Sequence, residues 1–268
     1  MSSIIGIAST GNALPSLLQS LQKMEGNGHR HCGLVVHGHQ GHTQSPPRLH
    51  RHRYPSAQGA AGRLHQQLQG SLDDTALESA LQAHGPDHMK GLNDLQGHVA
   101  LCRTAQAGSK GPQAWQHALP QLSHGPHADL NSPARVAVVV HGPLQASTEL
   151  REALIERDYP FKSDNTAELL AHLIDATHQH NPVQALLRAL GLLQGQACVG
   201  ALFHDQPERM FAMQLGAPLH MATSPNLLTW ASEREALPSG LRALPDWPHN
   251  QVLEVRTSPQ GISYCLHA

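Results

Sequence analysis

The side chains best suited to chemistry in this chain are its histidines, 22 of them in 268 residues. His29, His31, His37, His39, His42, His50 and His52 crowd one stretch, mostly at alternate positions. On an extended backbone alternate residues share a face, so such a stretch could gather imidazole nitrogens around a metal. A dedicated site would add cysteine or carboxylate partners at fixed spacing, and none stands here. His172, His178, His180, His204 and His220 are scattered, while lysine is rare and glutamine frequent. The pattern reads as histidine and glutamine occupying surface sites, and no metal ligand set is assigned. Cys32, Cys102, Cys198 and Cys265 lie far apart with no C-x-x-C pair, which argues against a zinc knuckle and against a disulfide framework. Reduced thiols are expected. No G-x-G-x-x-G or P-loop motif occurs, and no cofactor is expected.

Composition narrows the function classes further. Hydrophobic residues make up 40%, charged residues 14% and aromatics 3%. Eighteen Lys and Arg against 20 Asp and Glu give a net charge of -2. That balance supplies neither the basic stripe nor the stacking platforms of a nucleic-acid binder, and no field toward an anionic membrane. The apolar start Ile4-Ile5-Gly6-Ile7 lacks a basic leader, and no run reaches the roughly 18 apolar residues of a spanning helix. A cytoplasmic protein with no nucleic-acid and no membrane partner is expected.

The elements that must position any site follow from periodicity. A strand is predicted over 3–8, then a helix over 14–24 with Pro15 in its first turn and Gly26 and Gly28 past its end. Residues 32–36 form a second strand, 37–62 a loop by composition, 72–83 a weak helix, and 99–102 a strand leading into Arg103. Residues 108–133, rich in Gly, Pro, His and Ser, are expected to be irregular. The β-branched run 135–140 reads as a buried strand. Helices follow at 149–156 after the N-cap Ser147, at 166–177, and at 183–193 with Pro182 at its start. Strands at 197–204, 209–214, 219–223, 227–231, 252–255 and 262–266 complete the chain. This order argues for an α+β layered domain and against a dinucleotide-binding βαβ fold.

Several stretches in order carry a resemblance. Val138-Val139-Val140-His141-Gly142 is followed by Glu149-Leu150-Arg151-Glu152, Tyr159-Pro160-Phe161 and Ser163-Asp164-Asn165-Thr166-Ala167-Glu168. Ile4-Ile5-Gly6, the surroundings of Arg103, Leu193-Gln194-Gly195, Gly216-Ala217-Pro218-Leu219 and Ala231-Ser232-Glu233 fit around them. The chain thereby resembles class II glutamine amidotransferases, in particular the glutaminase domain of glucosamine-6-phosphate synthase. The resemblance implies an N-terminal-nucleophile fold, a four-layer αββα sandwich. One such domain is expected over 1–268, with an insertion at about 42–95 where the match is poorest.

The resemblance also marks where the family's chemistry would stand. The family attacks the glutamine amide with an N-terminal cysteine exposed by loss of Met, its own amine acting as base. Here that position is Ser2, followed by Ser3 where the family has glycine, a side chain added beside the reaction centre. The oxyanion position falls on His141 and Gly142. Either His141 replaces the family's asparagine or the asparagine is deleted and His141 matches the preceding histidine. Arg103 matches the arginine that holds the substrate carboxylate. The aspartate for the substrate ammonium falls on Thr166, with Asp164 the nearby substitute.

With cysteine, asparagine and aspartate all replaced, the leading expectation is a non-catalytic binding or regulatory module for another protein or a glutamine-like small ligand. One alternative is an amidohydrolase using Ser2, or a glutaminase subunit supplying ammonia to a separate synthase. In the full synthase a sugar-isomerase half receives the ammonia, so a separate synthase or sugar-isomerase subunit is the expected partner of an active form. The other alternative is a histidine-rich metal-binding protein.

Overall fold

The computed structural model describes residues 2–40, 46–55, 95–106, 120–129 and 132–268. Its frame is two large antiparallel sheets. The first contains β1 (Ser2–Ser9), β2 (His29–Gln40), β3 (Arg48–Pro55), β4 (Leu95–Gln106), β11 (His220–Ser224), β12 (Leu227–Ala231) and β13 (Arg242–Ala243), in the order β13-β11-β12-β1-β4-β2-β3. The second runs β15 (Gly261–His267), β14 (Val252–Ser258), β10 (Arg209–Leu215), β9 (Ala197–Phe203), β6 (Val136–His141), β5 (Gln121–Ser123). A short pair, β7 (Leu144–Gln145) and β8 (Gln194–Gly195), stands apart.

Alternation along the strands divides the core between three interfaces. Ile5 and Ile7 of β1 join Leu34, Val36, Ala100 and Cys102 under α1 (Leu14–Gly26). Ile4 and Ala8 point the opposite way, into a core between the sheets with Val35, Val99, Leu101, Val139, Leu202, Leu253 and Trp230. Val138, Val140, Val199 and Phe211 form the outer face of the second sheet, covered by α2 (Thr148–Ile155), α3 (Thr166–Thr177) and α4 (Pro182–Gly191). Three apolar interfaces between helix, sheet, sheet and helix give the α+β, αββα sandwich expected. Trp230 locks the middle layer: a Cβ on Gly6 would lie 2.2 Å from its ring and one on Gly200 2.3 Å, so both sheets thin to a glycine where the indole lies.

Three expectations are corrected. Residues 37–40 continue β2, and 48–55, expected as loop, form β3 paired along β2. Arginine and histidine serve as strand residues there because β3 is the sheet's edge: Leu49 and His52 are buried on opposite faces, while Arg51, on the same face as Leu49, stays exposed. Within 108–133, Gln121–Ser123 pairs with β6 as an edge strand. The described part of the 42–95 stretch therefore belongs to the first sheet, and the helix expected at 72–83 lies outside the described residues.

α3 deserves its almost complete burial. All residues from Ala167 to Asp175 are enclosed, the charged and polar ones included. The polar ones have hydrogen-bond or ion-pair partners. Asp175 accepts from Tyr159 Oη at 3.0 Å and Ser123 Oγ at 3.2 Å and pairs with Arg135 at 3.0 Å. His172 meets Ser123 Oγ at 3.0 Å and the Pro160 carbonyl at 3.1 Å. Among the described residues, no helix is long and apolar enough to cross a membrane.

Candidate active site

Ser2 opens β1 at the centre of the first sheet, opposite Ala105, and Ile4 stands opposite Arg103 of β4. Residues 2 and 4 share a face, as do their cross-strand partners, so Ser2 and Arg103 look with Ile4 into the space between the sheets. His141 reaches the same space from the end of β6 in the second sheet. Its Nδ1 lies 3.3 Å from Ser2 Oγ. Three of the residues singled out in the sequence thus meet at one point although they come from three strands and two sheets.

The electrostatics of that point are unusual. Burial lowers the Arg103 pKa to about 10, still a cation at neutral pH. Arg103 is half-buried, yet its Nε is fully enclosed and has no hydrogen-bond partner. Burial, then the Arg103 charge, lower His141 below the ordinary imidazole value, while a hydrogen bond with the Ser2 backbone works the other way. Near neutral pH His141 is therefore a neutral imidazole able to accept the Ser2 hydroxyl proton, beside a cation short of an anion.

Gly142 follows at φ +105°, where an added Cβ would lie 2.3 Å from the Gln196 carbonyl oxygen. Only glycine makes this turn, which carries the chain from β6 to Leu144 of β7. Asp164 and Thr166 are placed differently. Asp164 is exposed in the turn before α3, and Thr166 is that helix's first residue, half-buried. The turn is built around Glu168, whose carboxylate accepts from the backbone of Lys162 and Ser163 at 2.8 Å each and from Ser163 Oγ at 2.6 Å, while Asn165 caps the helix. Neither Asp164 nor Thr166 forms a hydrogen bond or ion pair with Ser2, Arg103 or His141.

Ser3 corrects another expectation. Its side chain lies on the opposite face of β1 from Ser2, fully buried, 3.0 Å from Ser232 Oγ. Ser232 Oγ also accepts from the Ile4 amide at 3.1 Å, and the Ser232 amide donates to the Ile4 carbonyl at 3.0 Å. Behind it His29 Nδ1 lies 2.7 Å from Thr104 Oγ1. Sequence reasoning missed this polar support of the Ser2 strand. Its signal was the pair Ala231-Ser232, next to β1 only once strand order is known.

The histidine-rich stretch does not converge. His37 lies opposite Leu49, which faces the inter-sheet core, whereas His50 and His52 lie opposite Val36 and Leu34, which face α1. Pairing β2 with β3 sends these imidazoles to both faces of the sheet. Among the described residues no three donors gather there.

No family model matches the chain. Relatives do match over most of it. Glutamine–fructose-6-phosphate aminotransferase (isomerizing) of Legionella pneumophila is 28% identical over 221 residues, 82% of this chain and 30% of the relative. The same-named protein of Clostridium perfringens is 24% identical over 219 residues, 82% of this chain and 29% of its own. That of Bordetella pertussis is 24% identical over 239 residues, 88% and 33%. The chain spans about a third of the length of these relatives. Among solved structures, glutamine phosphoribosylpyrophosphate amidotransferase from B. subtilis superimposes with a TM-score of 0.65 at 17% identity, covering 98% of this chain and 48% of that one. Relatives and structural neighbour agree on a class II glutamine amidotransferase-like domain with the N-terminal-nucleophile fold.

Proposed function

We propose that this domain binds a small amino-acid-like molecule by its carboxylate, at Arg103 beside Ser2 and His141, and that it does so as a binding or regulatory module without hydrolysing glutamine. The observation that carries this reading is the half-buried Arg103 side chain, whose enclosed Nε has no hydrogen-bond partner. A cation held that way costs free energy that an incoming carboxylate would offset through charge-assisted hydrogen bonds. Catalysis lacks comparable support: a serine hydroxyl stands where the family places a thiol, and Asp164 and Thr166 make no polar contact with the three clustered residues.

One observation favours a second reading, an N-terminal-serine amidohydrolase. Ser2 Oγ lies 3.3 Å from an imidazole that burial keeps neutral, a pairing that could activate the hydroxyl with the Gly142 amide stabilising the oxyanion. An active form would supply ammonia to a separate synthase or sugar-isomerase subunit, since the relatives extend well beyond the matched region. Intact mass and glutamate release separate the readings. A mature chain that keeps Met1, or releases no glutamate, is the expected result. Loss of Met1 together with glutamate release that vanishes in Ser2→Ala would establish the second reading.

A further inference from the structure

The outer hairpin of the second sheet holds a group of side chains unrelated to the site above. Glu254 of β14 stands directly opposite Cys265 of β15, and His267 lies two residues further on the same strand, on the same face. His267 Nε2 is 2.8 Å from Glu254 Oε2 and 3.0 Å from Cys265 Sγ, and Sγ is 3.7 Å from Oε2. Among the described residues this is the one set of three His, Cys, Asp or Glu donors whose ligand atoms lie within 4.8 Å of one another.

The carboxylate is oriented before any ligand arrives. Its side chain is 3% exposed, and its other oxygen, Oε1, takes Arg256 Nε at 2.6 Å and Arg209 at 3.4 Å. Oε2 is thereby left facing the thiol and the imidazole, both open to solvent on the outer strand. Tetrahedral zinc with bonds of about 2.0–2.3 Å sets its ligand atoms about 3.3–3.8 Å apart. The observed triangle is metal-sized after an opening of about half an ångström along its two short edges, within reach of side-chain rotation.

We propose that Glu254 Oε2, Cys265 Sγ and His267 Nε2 bind a thiophilic divalent cation of the zinc class, the fourth position falling to water. Binding forms a metal–sulfur bond as the thiol proton leaves for solvent, while the imidazole coordinates in its neutral form. Arg209 and Arg256 oppose a second positive charge and hold the affinity below that of a closed cysteine–histidine site.

Cobalt titrated into the full chain after chelator treatment tests this, because the thiolate-to-cobalt charge-transfer absorption reports a sulfur ligand that the other histidines cannot mimic. Cys32, Cys102 and Cys198 are buried and do not compete. The expected result is one equivalent of cobalt giving that absorption, displaced by zinc, absent in Cys265→Ser, with affinity lowered at least about tenfold in His267→Ala and in Glu254→Gln. Circular dichroism checks that the variants stay folded. Absence of the absorption, its survival in Cys265→Ser, or unchanged affinity in His267→Ala would overturn the proposal.

Discussion

A guanidinium nitrogen enclosed without a hydrogen-bond partner is a local debit, and Arg103 Nε is one. Replacing Arg103 by methionine, similar in length and apolar, removes the debit and the carboxylate anchor together. Arg103→Met is therefore expected to melt no lower than the parent, and up to about 3 °C higher if roughly 1 kcal/mol is recovered. Calorimetric titration of the same variant with L-glutamine should show binding weakened by about 10- to 100-fold. A variant that both unfolds earlier and binds normally would mean that Arg103 is a structural cation. Gly142 is constrained differently: at φ +105° and 2.3 Å from a carbonyl, any Cβ is strained and crowded. Gly142→Ala should lower the melting temperature by an amount equivalent to about 1–3 kcal/mol, read by differential scanning calorimetry.

Elements meet closely where Trp230 lies between Gly6 of β1 and Gly200 of β9. Gly200→Ala would place a methyl 2.3 Å from the fully buried indole and 3.0 Å from Val139, so backbone or ring must shift to admit it. A loss of about 2 kcal/mol or more is expected in urea unfolding, with the slope unchanged because the folded surface is the same. Much of this element layer was legible in the sequence. The run 135–140 and helix 166–177 emerged with nearly their observed bounds, since β-branched content and a 3.6-residue period are local signals. β3 was not legible: its His and Arg content imitates a loop, and only β2 alongside turns it into a strand. Of the candidate site, Ser2, His141 and Arg103 were legible through their motif positions, while the Ser3–Ser232 support behind them depends on β12 lying beside β1.

At the scale of the whole molecule, folding buries imidazoles. Burial lowers His29, His37, His50, His124, His141 and His172, with His37 brought from 6.5 to about 4. His37 is 1% exposed; beyond burial, the charges of His204 and His50 lower it further while that of Asp205 works the other way. A histidine held below its unfolded value binds fewer protons folded than unfolded. Its contribution is complete above about pH 6.5 and is lost as pH falls toward the folded value. For His37 alone the full span corresponds to about 3 kcal/mol. The chain should thus lose stability steeply between pH 6.5 and about pH 4, and His37→Leu should flatten that dependence in urea midpoints measured across the range.

The central claim, that the inter-sheet site retains carboxylate recognition without amide hydrolysis, meets its most direct test in one nuclear magnetic resonance sample of the protein with isotope-labelled L-glutamine. Saturation transfer reports binding while the carbonyl shift reports conversion to glutamate. Transfer to glutamine that disappears in Arg103→Met is expected, with a carbonyl signal that stays that of the amide. Steady growth of glutamate, abolished by Ser2→Ala, or no transfer at all from the parent protein, would contradict it.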